Sequence, residues 1–176
     1  RLLLAGDGIE RPQVEQRIRE LSLSSQVKLL GVRDDIPALL KSSDLFVFPS
    51  ENEGSPNAVI EACFAELPIV ACDVPGVRDV VQHRTTALLA PPRNPPAFAA
   101  CIEESLNDSS AACQRAQTAR RNAESTFRVE SVLARLYGLY DELFVRESTG
   151  GRPEPSAVVS DPAAPRNFHE ADYDGI

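Results

Sequence analysis

Short apolar runs punctuate the first ninety residues: LLLA (2–5), KLL (28–30), LFVF (45–48), IVA (69–71) and ALLA (87–90). None alternates apolar with polar. A near-continuous apolar run of this length is the mark of a strand covered on both faces, as in a parallel sheet between helices. The segments between the runs have helical character. RPQVEQRIREL puts Val14, Ile18 and Leu21 on one face, and Pro12 suits a first helical turn. DDIPALLKS (34–42), NAVIEACFA (57–65) and GVRDVVQ (76–82) read as further short helices. This alternation predicts an α/β fold with a doubly wound, Rossmann-like parallel sheet and helices on both faces.

Beyond residue 92 the pattern is helical throughout. NPPAFAACIEESL and SSAACQRAQTARRNAEST lead into RVESVLARLYGLYDELF, where Val129, Val132, Leu133, Leu136, Tyr140 and Leu143 fall near helical spacing. From about Glu147 periodicity gives way to Pro, Gly, Ser and acidic residues. The reading is therefore one domain over 1–146 and a disordered acidic tail over 147–176. The tail's DYD string (172–174) is read as chance and not as a metal site.

Composition narrows the function. The chain has 176 residues, 43% of them hydrophobic, and a net charge of −8. That charge argues against nucleic acid as a partner, because phosphate contacts need a basic face. No apolar run approaches the roughly 20 residues of a membrane helix. Cys63, Cys72, Cys101 and Cys113 form no CxxC pair and read as small buried hydrophobes in a reducing, cytoplasmic setting. The chain contains no Met and opens on what reads as an internal strand, so a fragment lacking an upstream segment is expected.

The candidate chemistry lies in ENEGSPNAVIEA (51–62). The segment follows the LFVF strand, and ligands of open parallel sheets bind outside the carboxyl ends of the strands. Ser55 is a good N-cap residue and Pro56 suits the first helical position. The N–H groups of Asn57 and Ala58 are then expected to face the crevice, where a helix start favours an anion such as a diphosphate. Gly54 allows close backbone approach. Glu61 sits among apolar residues, four after Asn57 and three after Ala58, hence on their face. A buried carboxylate needs donors, and vicinal ribose hydroxyls supply them. Glu53, on the preceding loop, can accept from a second sugar. Together these describe a nucleotide sugar. Two alternatives stay open: Glu53 serves only the helix dipole, and Glu61 pairs with a cation elsewhere.

The string PSENEGSPNAVIEACFAELPIVACDVPGVRDVV resembles the donor-binding half of the family 4, or group 1, glycosyltransferases. Glu53 and Glu61 match the family's E-x7-E hallmark, with Gly54 and Pro56 between them. Asp44, Ser50, Ala62, Pro68, Val70 and Ala71 match as well, as do LLLAGDG, KLLGVRDDIPALL and TTALLAPP. The resemblance spans about residues 1–145. It implies one half of a GT-B fold and retaining, metal-independent hexosyl transfer from a UDP- or GDP-linked sugar, with no cofactor. Glu53 is then the catalytic residue at the donor sugar and Glu61 the ribose ligand. Ser55, Asn57 and Ala58 offer backbone to the diphosphate, Gly6 and Gly8 let the first loop pass the donor, and Val32 and Arg33 border the base. Arg33 is equally readable as an ion-pair partner. His83 reads as a surface residue.

The family's diphosphate-neutralising Arg and Lys, and its acceptor domain, lie upstream of the strand that opens this chain. The chain alone is therefore expected to be inactive. Its acceptor, whether glycan, lipid-linked or small molecule, and any peripheral membrane contact belong to that missing domain. The last helix is expected to expose an apolar face. Glu66 stands where the family has Gly, at a left-handed helix end that costs about 1 kcal/mol for a residue with a Cβ. Ala87 also replaces a common Gly. Competing readings are a non-catalytic nucleotide-sugar-binding or interaction module and a sugar-nucleotide epimerase of related fold.

Overall fold

The computed structural model describes residues 1–148. It is an α/β fold of parallel sheets with helices on both sides, as the apolar pattern predicts. The expected tail and its DYD string lie outside the described residues, apart from the first two tail positions. Those two belong to the last helix, which runs to Ser148.

The chain divides into two compact units, Arg1–Ser42 and the segment from Ser43 onward. In the first, β1 (Leu2–Ala5) pairs in parallel with β2 (Val27–Gly31) across helix α1 (Arg11–Glu20), and α2 (Ile36–Lys41) follows. Pro12 lies in the first turn of α1 as expected. The Gly6 N–H donates to the Gly31 carbonyl at 2.7 Å. Both glycines have positive φ, +122° and +67°, which residues with a Cβ rarely adopt. Burial on both strand faces is not found here: Leu2 and Leu3 of β1 are exposed, and Leu21 projects into solvent.

The second unit holds the core. β3 (Phe46–Phe48), β4 (Ile69–Cys72) and β5 (Leu88–Ala90) form a parallel sheet in that order, with Val47 opposite Val70 and Val70 opposite Leu88. Every residue of β4 and β5 is buried, which is why both read as unbroken apolar runs. α3 (Asn57–Phe64) packs on β4 and on α6 (Ser109–Phe127), and α5 (Pro95–Asn107) covers β4 and β5. α6 turns Ala112, Ala116, Ala119 and Ala123 inward, a stripe of small side chains against which α3 can pack closely. Cys113, one position off that stripe, is exposed; only Cys63 and Cys72 are the buried thiols expected of all four. Burial pushes the Cys63 thiol up to about 12.

One helix departs from expectation and the last one meets it. The one predicted over 76–82 is a single turn, α4 (Pro75–Arg78), after which the Val80 and Val81 N–H groups bond back to the Val77 carbonyl. The last helix, α7 (Val129–Ser148), exposes Val129, Val132, Leu133, Leu136, Tyr140 and Leu143, the apolar face anticipated from spacing. No helix among the described residues is long and apolar enough to cross a membrane.

Candidate functional site

The loop over 49–56 leaves the carboxyl end of β3, where a ligand crevice is expected, and delivers the chain to α3. Its local structure differs from the predicted cap. Pro56, not Ser55, occupies the N-cap position, and no side chain caps the helix. With φ −78° and ψ 83°, Pro56 sits in an inverse γ-turn, in which the Asn57 N–H donates to the Ser55 carbonyl at 3.0 Å. The Asn57 N–H is therefore spent inside the turn. The Ala58 N–H has no backbone or side-chain acceptor among the described residues. The φ of Pro56 suits a helix start equally well; its ψ of 83° makes the γ-turn, which satisfies the Asn57 N–H and leaves that of Ala58 open.

Glu61 is placed on the predicted face but not in the predicted environment. α3 buries Val59, Ala62 and Cys63, and the opposite stripe through Asn57 and Glu61 is open. The carboxylate is thus exposed and not embedded in the apolar run. Its neighbours in sequence are buried because they face β4 and α6, which a local reading of that run cannot distinguish. Glu53 is half-buried. Among the described residues neither carboxylate has a hydrogen-bond or ion-pair partner. The alternative in which Glu61 is locked onto a cation is therefore not what the structure shows. Gly54 and Gly8 both face open space, with no atom within 4 Å of an added Cβ.

Next to this loop, Arg93 binds Glu51, Nε to Oε2, at 2.8 Å. Pro49, Glu51, Cys72, Pro91, Arg93 and Phe98 are among the residues lining a hollow of about 270 Å³ at the carboxyl ends of the strands. Burial, with the Glu51 charge adding to it, raises the Cys72 thiol above its ordinary range. Arg93 and Glu51 were not singled out from sequence, since two opposite charges 42 positions apart carry no local signal.

Gly6, Gly8, Val32 and Arg33 belong to the first unit. Val32 is 82% exposed. Arg33 grips Asp35 with two bonds, Nε–Oδ1 at 2.8 Å and Nη2–Oδ2 at 2.6 Å, the ion-pair reading left open above. The guanidinium holds the Asp35 carboxyl below its usual range, chiefly through those hydrogen bonds. His83 is exposed, as expected of a surface residue, and its Nδ1 accepts the Leu89 N–H at 2.9 Å, which ties the 82–87 turn to β5.

The signature described as "Glycosyl transferases group 1" matches residues 1–108, and the chain belongs to that family. It is 29% identical over 143 residues to alpha-D-kanosaminyltransferase of Streptomyces kanamyceticus, a match covering 80% of this chain and 37% of that protein. Anabaena HepE solved with UDP superposes with a TM-score of 0.76 at 27% identity, over 80% of this chain and 40% of HepE. HepE has also been solved with UDP-glucose. Sucrose-phosphate synthase from Thermosynechococcus elongatus superposes with a TM-score of 0.74 at 29% identity, over 82% of this chain and 38% of the synthase. The chain thus has the Rossmann-like fold of GT-B glycosyltransferases and spans about two-fifths of the length of these relatives.

Proposed function

We propose that this chain is the donor-binding half of a retaining glycosyltransferase that moves a hexose from a UDP- or GDP-linked sugar to an acceptor held by other parts of the full protein. The observation that carries the reading is the pair of partnerless carboxylates, Glu53 and Glu61, on either side of a helix start at the carboxyl end of β3. The HepE complexes with UDP and UDP-glucose support it.

In this reading the two Glu61 oxygens accept from vicinal ribose hydroxyls. Glu53 accepts from hydroxyls of the transferred sugar and holds its anomeric carbon toward the acceptor. The Ala58 N–H, at the positive end of α3, meets a phosphate oxygen. Asn57 now contributes through its exposed side of the helix and not through its N–H, while Ser55 contributes backbone beside Gly54. For Gly6, Gly8, Val32 and Arg33, all in the first unit, the family resemblance alone supports a donor role, and Arg33 is committed to Asp35. The rate gain comes from orientation and from stabilising the departing diphosphate. No metal takes part.

Titration of the 176-residue chain with UDP-glucose and GDP-mannose tests the reading. Weak binding of one donor, unaffected by EDTA, is expected. Glu61→Ala should lower the affinity at least about tenfold, the loss of one charge-assisted hydrogen bond at the low end of its usual worth. Absence of binding by either donor, both to the chain and to the full-length protein, overturns it. Acceptor-independent epimerisation of the sugar would instead favour an epimerase.

A further inference from the structure

Gly76 lies in α4, the single turn that follows β4, and is fully enclosed. Its φ lies outside the left-handed region, so its backbone conformation does not require glycine. The space around it does. A Cβ on Gly76 would overlap the Glu53 carbonyl oxygen, and would stand 2.7 Å from the Glu53 carbonyl carbon and 2.8 Å from the Gly54 carbonyl oxygen. No real side chain tolerates such contacts with backbone. The Glu53–Gly54 peptide therefore rests directly on the Gly76 main chain.

The flanks of the same loop are held independently. Glu51 is tied to Arg93 at 2.8 Å, and Pro56 is buried at the start of α3. With both flanks held, a methyl group at position 76 is accommodated only by lifting Glu53–Gly54 or by displacing α4. Gly54 itself faces open space, so the constraint acts from beneath the loop and leaves its outer side clear.

We infer that Gly76 and the Glu51–Arg93 ion pair are positioning elements that set where the Glu53 carboxylate stands over the carboxyl end of the sheet. Their role toward a ligand rests on the proposed donor site. They act more on the sugar end of a nucleotide sugar than on its nucleotide, because Glu61 and the Ala58 N–H are carried by α3, and α3 is anchored separately through Val59, Ala62 and Cys63.

The test compares wild type, Gly76→Ala and Glu51→Gln as ¹⁵N-labelled full chains, each titrated with UDP and with UDP-glucose. Gly76→Ala should shift the amide signals of residues 51–58 and leave β4 and β5 in place. It should weaken UDP-glucose binding at least tenfold, a fraction of the order of 10²-fold that misplacement by about 1 Å can cost in turnover. UDP binding should fall by a clearly smaller factor, because Ala58 and Glu61 ride on α3 and only the Ser55 backbone moves with Gly54. Glu51→Gln, at an exposed pair that poses little risk to folding, should show the same split at two- to fivefold and decides the matter if Gly76→Ala does not fold. Equal loss of UDP and UDP-glucose, or no loss of UDP-glucose in either variant, overturns the inference. Failure of the wild type to bind either ligand instead removes the donor-site reading, and the ligand role of Gly76 with it.

Discussion

The two units of this chain are built from the same kind of segment and end up in different states. LLLA and ALLA are nearly the same string, yet β5 is wholly buried while β1 has Leu3 42% exposed. Among the described residues, Leu40 is the one buried apolar side chain of Arg1–Ser42, whereas β4 and β5 with α3, α5 and α6 enclose a continuous core in the second unit. An apolar run shows that a strand can be covered on both faces. Whether it is covered depends on helices arriving from elsewhere in the chain. The difference bears on function, because the partnerless glutamates stand on the enclosed unit, where loops have a rigid floor. Gly6, Gly8, Val32 and Arg33 stand on the open one.

The largest effect that separates the units is packing. Leu88, fully buried at the start of β5, should cost about 2–5 kcal/mol when cut to Ala, through lost burial and the cavity left behind. Leu3→Ala in β1 should cost about 1 kcal/mol or less, since much of that side chain already meets water. Urea unfolding of both variants checks this. Equal losses would mean that β1 is as deeply enclosed as β5 and would remove the contrast.

A smaller effect separates the helix starts. α5 is capped by Asn94, whose Oδ1 accepts the Ala97 N–H at 3.1 Å, and Asn94→Ala should cost about 1 kcal/mol. α2 has Asp35 at the same position, but its carboxylate is committed to Arg33 and caps nothing. Asp35→Ala should therefore destabilise less than Asn94→Ala in the same urea titration. The reverse ranking would show that the Arg33 pair matters more than a cap.

What was legible in the sequence follows the range of the forces involved. All five strands were readable to within about a residue, because burial imposes its pattern on consecutive positions. The face carrying Asn57, Ala58 and Glu61 was readable for the same reason, since helical spacing is local. The exposure of Glu61 was not, because it depends on which side of α3 meets β4 and α6. The cap failed although Ser55 as N-cap and Pro56 as first helical residue were mutually compatible: the φ of Pro56 fits that arrangement, and its ψ of 83°, which no local rule fixes, gives a γ-turn instead. Gly76 and the Glu51–Arg93 pair work through contacts distant in sequence or through space that a side chain must not fill. Gly76 left one trace, a glycine next to Pro75 inside a stretch that otherwise read as helix.

Glu66 offers the finest comparison, since here a local rule was read correctly and the structure supplies its compensation. The α3 helix ends in a Schellman motif: the Glu66 N–H bonds to the Cys63 carbonyl at 3.0 Å and the Leu67 N–H to the Ala62 carbonyl at 3.2 Å. That geometry puts Glu66 at φ +57°, where a Cβ costs about 1 kcal/mol. The side chain meanwhile reaches α6 and pairs with Arg120 at 3.1 Å, and Arg120 is shared with Glu124 at 3.2 Å. Glu66→Gly relieves the strain, loosens the unfolded chain and gives up the pair, so the expected gain is between zero and about 1 kcal/mol. In an Arg120→Ala background, where there is no pair to lose, the same substitution should gain more. Thermal unfolding of the four proteins in this cycle measures the difference. A gain that is the same in both backgrounds would show that Arg120 does not offset the strain, and a loss in both would show that the left-handed turn at Glu66 costs nothing.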